Sequence, residues 1–144
     1  ALRAVADHAK GRGVTVCMET HDSWCLPEDV AAVMQRVNHP AIAANWDIMH
    51  PVRVHKTSID HAFETLRPWI RHLHVHDGAP GSTQLMPIGS GYIDHKRAIE
   101  LLRTIPYDGY LSGEWIHWSD PYETHLPREL ATMKSYERTA VTVR

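Results

Sequence analysis

The sequence predicts an α/β fold in which four parallel strands alternate with helices, half of a (β/α)8 barrel. Three observations carry this expectation. Short runs of small or β-branched residues each close on an acid or an imidazole, at Glu19, Asp47, His74 and Glu114. The segments between those runs place apolar residues at helical spacing, as helices covering one face of a sheet do. No hairpin signal joins one strand to the next, so the connections are crossovers and the strands parallel. The four closing residues are 28, 27 and 40 positions apart. A barrel of about 250 residues uses roughly 31 per unit, so each interval is one unit, the last with a loop insertion.

Taken in order, Leu2, Val5, Ala6 and Ala9 form the stripe of a leading helix that stops at Gly11 and Gly13. The first strand is Val14–Glu19, with Thr15, Cys17 and Glu19 on one side and Val14, Val16 and Met18 on the other. After a loop from Thr20 to Leu26, Pro27 opens a helix striped by Val30, Val33, Met34 and Val37, and Asn38-His39-Pro40 ends it. The second strand, Ala41–Asp47, puts Ala43, Asn45 and Asp47 on one face and Ile42, Ala44 and Trp46 on the other. Ile48 to Lys56 reads as a loop containing His50; Thr57 or Ser58 then caps a helix carrying Ile59, Ala62, Phe63 and Leu66. Pro68 precedes the third strand, in which Leu73 and Val75 alternate with His72, His74 and His76. Period two places the imidazoles on one face and the aliphatic residues on the other. Gly78 to Tyr92 is a long rim loop rich in Gly, Pro and Ser. Asp94 caps the next helix, with Ala98, Ile99, Leu102 and Ile105 along it, and the fourth strand runs Tyr110–Trp115. A last helix starts near Pro127 and continues through Leu130 and Met133 to about Arg138, followed by a frayed tail.

At 144 residues, with 43% apolar and 22% charged, the chain makes one globular domain, residues 1–144. A formal charge of −2 without a Lys/Arg cluster lacks the electrostatic footprint of a nucleic-acid binder. The opening ALRAVADHAKGRGV interrupts every apolar run with charge, so it reads as neither a secretory signal nor a membrane span, and a cytoplasmic location is expected. Cys17 and Cys25 are not spaced as a metal or redox pair and read as reduced packing residues.

Glu19, Asp47, His74 and Glu114 all close strands at the C-terminal end, the face on which such barrels carry their sites. Three carboxylates and an imidazole converging on one point require a cation, because burying uncompensated negative charge costs many kcal/mol. An oxygen-rich set of this kind suits Mn²⁺, Mg²⁺ or Co²⁺ and is compatible with Zn²⁺. His72 and His76 share the His74 face and line the pocket or orient its ligands, while His21, Trp24, Trp115 and His117 sit just past strand ends as a rim suited to a sugar or polyol. Trp115 has an equal claim to packing outward on a helix.

Five stretches, Met18-Glu19, Asn45-Trp46-Asp47-Ile48-Met49-His50, His74-Val75-His76-Asp77, Ile88-Gly89-Ser90-Gly91-Tyr92-Ile93-Asp94 and Tyr107 to Glu114, occur in that order. From about Val14 to Glu137 the chain resembles the xylose isomerase-like TIM barrels of sugar isomerases, epimerases and dehydratases, which have the endonuclease IV enzymes as relatives. The resemblance implies the C-terminal half of the barrel, with Glu19, Asp47, His74 and Glu114 as metal ligands. It implies an isomerase or epimerase of a small sugar or sugar-derived keto compound acting through an enediolate, with Glu19 and Glu114 as base and acid and His50 on a substrate oxygen. An inosose- or dehydroshikimate-type dehydratase is the alternative on the same site; a phosphodiesterase or a non-catalytic sugar-binding barrel fits less well. One departure stands out: family epimerases carry an Arg shortly after the third-strand His, whereas Asp77-Gly78-Ala79-Pro80-Gly81 offers no cation. Half a barrel also leaves sheet edges open, so either an N-terminal half or a second copy of the chain is expected beside it.

Overall fold

A computed structural model of the chain describes residues 1–116 and 118–140. A leading helix α1 (Leu2–Gly11) precedes β1 (Val16–Glu19), α2 (Pro27–Val37) and β2 (Ile42–Asp47). Two helices follow, α3 (Met49–His55) and α4 (Ile59–Leu66), and then β3 (Ile70–Val75). The short strands β4 (Asp77–Gly78) and β5 (Leu85–Met86) lead to α5 (His95–Leu102), β6 (Leu111–Gly113) and α6 (Tyr122–Thr139). The main sheet is wholly parallel in the order β1-β2-β3-β6, so each strand lies beside its predecessor after a helical crossover. That is the architecture of four consecutive units of a (β/α)8 barrel.

The core lies between this sheet and its helices. Trp46 from β2, Leu73 and Val75 from β3, Met34 from α2 and Phe63 and Leu66 from α4 are all buried in one apolar cluster. Trp46 and Phe63 meet with ring centroids 6.0 Å apart. A register shift beside Ala44 and Asn45 lets Ile70 join Leu73 and Val75 in the core although it is three residues from Leu73. This bulge is what allows an aliphatic strand start to precede a strict His/aliphatic alternation.

Most elements follow the sequence, and the differences have physical causes. Val14 and Thr15 extend beyond the partner strand and are exposed, so β1 begins at Val16. The segment expected as a loop after Asp47 contains α3: Asp47 Oδ1 accepts hydrogen bonds from Met49 N and His50 N and caps it. Ser58 caps α4 by accepting from His61 N, and Asp94 caps α5 by accepting from Arg97 N. The rim loop folds part of its length into an antiparallel ribbon of β4 and β5, a hairpin that the sequence did not signal. Helix α6 starts at Tyr122 rather than near Pro127; its first turn is exposed and so carries no apolar stripe. Among the described residues, no helix is long and apolar enough to cross a membrane.

Candidate metal centre

Parallel pairing sets the four strand ends at one level. Glu19 is opposite Asn45, Asp47 opposite His74, and Glu114 follows Gly113, the partner of Val75, donating its N–H to Val75 O. Neighbouring strands are about 4.8 Å apart, so on a flat sheet the outer strands β1 and β6 would be roughly 14 Å apart. Yet ligand atoms of Glu19, Asp47, His74 and Glu114 all lie within 4.8 Å of one another. Barrel curvature supplies part of this convergence and side-chain length the rest: the long Glu residues come from the outer strands, Asp and His from the central pair.

His74 Nδ1 is 2.6 Å from Glu19 Oε1 and 3.3 Å from Glu114 Oε2. Among the described residues, Glu114 Oε2 is enclosed by protein and accepts no hydrogen bond. A shielded carboxylate oxygen without a donor, turned toward two more carboxylates, is the donor arrangement a divalent cation satisfies.

Asp47 is the rigid member. It is fully buried, and Thr20, also fully buried, latches it across the strands: Thr20 Oγ1 accepts from Asp47 N at 3.0 Å and donates to Asp47 O at 3.1 Å. While Oδ1 caps α3, Oδ2 is 2.7 Å from His76 Nε2. Burial opposes the charge on Asp47, but His76 outweighs it and the carboxyl stays below its usual range. For His76, burial disfavours the imidazolium, the Asp47 carboxylate favours it more strongly, and the net shift is upward. The pair orients Asp47 from behind.

His50 rests between His21, with ring centroids 3.8 Å apart, and His76, at 5.7 Å. Burial pushes its pKa down to about 4, assisted by positive charge from His21, Arg53 and His76 and opposed by Asp47. The ring is therefore neutral at pH 7. His72 meets His74 edge-on at 5.6 Å, and burial followed by the His74 charge lowers its pKa. Ligand atoms of His21, Asp22 and His50, and those of Asp47, His50 and His76, also cluster within 4.8 Å.

At the rim, Trp24 is exposed and lines a groove with Met18, Glu19 and His21. Trp115 turns onto α6, its ring edge-on to His125 at 4.4 Å, which is the outward packing that competed with a pocket role. His117 lies outside the described residues.

Sequence reasoning passed over three contributors, Thr20, Arg53 and Glu129, and read Asp77 only as the acid of the H-x-x-D stretch. The Asp77 carboxylate accepts four backbone N–H bonds, Oδ1 from Gly78 and Ile93 and Oδ2 from Gly89 and Gly91, at 2.9–3.1 Å. Glu129 of α6, only 2% exposed, adds Ile88 N at 2.7 Å. The Gly-Ser-Gly segment is thus a nest for an internal carboxylate. A Cβ on Gly91 would come within 2.2 Å of Asp77 Oδ1, and Gly89 has φ +86°, so both positions need glycine. Asp77 stands in the H-x-x-D stretch and Thr20 directly follows Glu19, signals that were legible; Glu129 had none.

The family model for the xylose isomerase-like TIM barrel matches residues 1–136. No curated protein matches the sequence. Among solved structures, the chain is similar to a xylose isomerase domain protein from Planctomyces limnophilus, with 18% identity and a TM-score of 0.78 over 96% of this chain and 50% of that one. A xylose isomerase-like TIM barrel protein from Mycobacterium smegmatis in complex with magnesium gives 21% identity and a TM-score of 0.75, covering 97% of this chain and 49% of that one. The probable 3-DHS dehydratase AsbF from Bacillus anthracis gives 21% and 0.75, covering 92% of this chain and 54% of that one. The chain spans about half the length of these structures. At such identities the likeness speaks for the fold.

Proposed function

Because the chain belongs to the xylose isomerase-like TIM barrel family, we propose that it carries the metal-binding half of an enzyme that moves a proton beside the carbonyl of a small keto sugar or polyol-derived ketone. The observation supporting this most directly is the convergence of Glu19, Asp47, His74 and Glu114 with an orphaned oxygen on Glu114. A divalent cation held by these four, with Mn²⁺, Mg²⁺ or Co²⁺ best suited, supplies Lewis-acid stabilisation of the negative charge that develops on the substrate's oxygens. A magnesium complex of one structural neighbour is in keeping with such a set.

The residues provide the remaining chemistry. Glu19 and Glu114 come from opposite edges of the sheet, so they reach a substrate seated over β2 and β3 from its two sides. Glu19 removes the proton from the carbon beside the carbonyl, and Glu114 returns a proton to complete isomerisation or epimerisation. Neutral His50 hydrogen-bonds a substrate oxygen without adding charge, with the tilted His21 ring packed against it. His76 holds Asp47 in place, and Trp24 offers an aromatic rim.

A dehydratase would use the same base and expel a hydroxyl from the adjacent carbon, and the likeness to AsbF keeps that reading as the alternative. Metal analysis followed by incubation of keto sugars in D₂O with the best metal tests the proposal. Deuterium beside the carbonyl is expected, and Glu19→Gln and Glu114→Gln should each lower its entry by about 10² or more. Unchanged exchange in both variants, or no exchange across a broad panel, would refute it; loss of water from the product would select the dehydratase.

A further inference from the structure

The stretch after His76 contains no cation, yet the structure brings one to the same place from another element. Arg53 stands one helical turn beyond His50 on α3, and its Nη2 is 3.3 Å from His50 Nδ1 and 3.5 Å from Nε2. A guanidinium remains charged at any physiological pH, and here it lies against a neutral ring. Arg97 and Arg128 each pair with two carboxylates. Arg53, half-buried, has none within 4.0 Å among the described residues, and neither has Lys56.

Arg53 and Lys56 form one wall of a groove of roughly 640 Å³ whose other wall is the turn of the β4–β5 ribbon, with Ser82, Thr83 and the Tyr92 ring. Lys56 Nζ donates to Arg53 O, tying the two cationic residues together. Positive charge without a counter-ion, flanked by hydroxyl donors, is an anion-binding arrangement, and the planar fork of Arg matches a carboxylate or phosphate. His50 stands between the groove and the quartet: its ring meets Arg53 and its backbone N–H donates to Asp47 Oδ1. A substrate lying across His50 would touch both.

We infer that Arg53 is a specificity-determining residue that binds an anionic terminus, a carboxylate or a phosphate, on the substrate whose carbonyl end lies over Glu19, Asp47, His74 and Glu114. This rests on the function proposed above and narrows its substrate class to acidic keto sugars.

The test uses the Mn²⁺-loaded protein and its Arg53→Met and Arg53→Lys variants. Titration with inorganic phosphate and with acetate reads binding without turnover, and Mn²⁺ affinity reports whether the quartet is intact. Solvent-deuterium entry is then compared for a neutral ketohexose, its 6-phosphate and its 6-carboxylate. The wild type should favour one of the two acidic sugars by about tenfold or more in kcat/KM, a preference that collapses in Arg53→Met and recovers in part in Arg53→Lys. Whichever acidic sugar is favoured identifies the terminus. Equal use of the neutral and acidic sugars, or a preference surviving Arg53→Met with Mn²⁺ affinity unchanged, overturns the assignment. If no sugar exchanges, the proposed function fails and the titrations alone decide Arg53: phosphate or acetate binding lost in Arg53→Met supports it, and absent or unaltered binding overturns it.

Discussion

Glu114 brings an oxygen without a hydrogen-bond donor into a cluster that already holds two other carboxylates. In the metal-free protein these charges repel one another, whereas with a cation bound each becomes a ligand. Glu114→Gln should therefore have opposite effects on two measurements. Apo stability should rise by up to about 1 kcal/mol in a urea titration, because a like charge is removed. Mn²⁺ affinity should fall by about tenfold or more in a calorimetric titration, because a charged ligand is lost. A substitution that lowers both would identify Glu114 as an ordinary structural residue. His95 makes a second case at this scale. It is buried with Nδ1 2.8 Å from Ile93 O and Nε2 3.1 Å from His76 O, and burial outweighs Asp77 and these carbonyls to lower its pKa. His50 is lowered to about 4 from 6.5 in the same way. When the native pKa lies below the unfolded one, the unfolded chain binds protons first. The contribution of these two histidines is thus complete above about pH 6.5 and declines as the pH falls below it, for His50 down to about pH 4, while the raised pKa of His76 acts in the opposite direction. The urea midpoint should drop between pH 7.5 and pH 5, and His95→Gln, which keeps one donor, should flatten that dependence.

Among the elements, the rim segment from Pro87 to Asp94 depends most on a single side chain. Its amides at Gly89, Gly91 and Ile93 all end on Asp77, and Ile88 ends on Glu129. Asp77→Asn would turn an amide group toward N–H donors and leave at least one of them unpaired in a buried place. A loss of about 2–3 kcal/mol is expected, with faster hydrogen exchange at Gly89, Gly91 and Ile93 than in β2. Uniform protection across both regions would mean that the segment is held by something else. The same segment shows what the sequence could disclose. Strand alternation and stripe spacing are local, so β1, β2, β3, the helix caps at Ser58 and Asp94 and the four converging residues were all legible. H-x-x-D and G-x-G were legible too, but as separate signals. That the acid of one fills the nest of the other depends on a contact spanning 12 to 16 positions, which no periodicity records. Arg53 was hidden for a related reason: its segment reads as a loop until Asp47 caps it, and only a helix carries position 53 back over His50.

At the scale of the molecule, among the described residues the sheet is open on both sides, with β1 and β6 each paired on one edge only. Apolar side chains mark both flanks. Val5, Val14 and Trp24 are exposed near β1, and Tyr110, at 79%, Leu126 and Leu130 near β6. Helix α6 and β6 border a groove lined by Tyr110, Leu111, Trp115, Leu126 and Leu130. An unpaired parallel edge beside an apolar groove is a surface that water leaves dissatisfied twice, in backbone N–H and C=O groups and in hydrocarbon. Barrel closure answers both needs, because further βα units place a strand on each edge and a helix in each groove. The spans of the structural neighbours, about twice this chain, leave room for such units. They come either from an N-terminal half or from a second copy, and these 144 residues by themselves have only the second route. The isolated 16.4 kDa chain should therefore sediment as a dimer or larger species at tens of micromolar. Tyr110→Lys combined with Leu130→Lys, which puts charge on the β6 flank without touching the metal ligands, should shift it toward the monomer. A chain that sediments as a monomer throughout that range would show that both flanks tolerate water, and barrel closure would then not be what holds this sheet in shape.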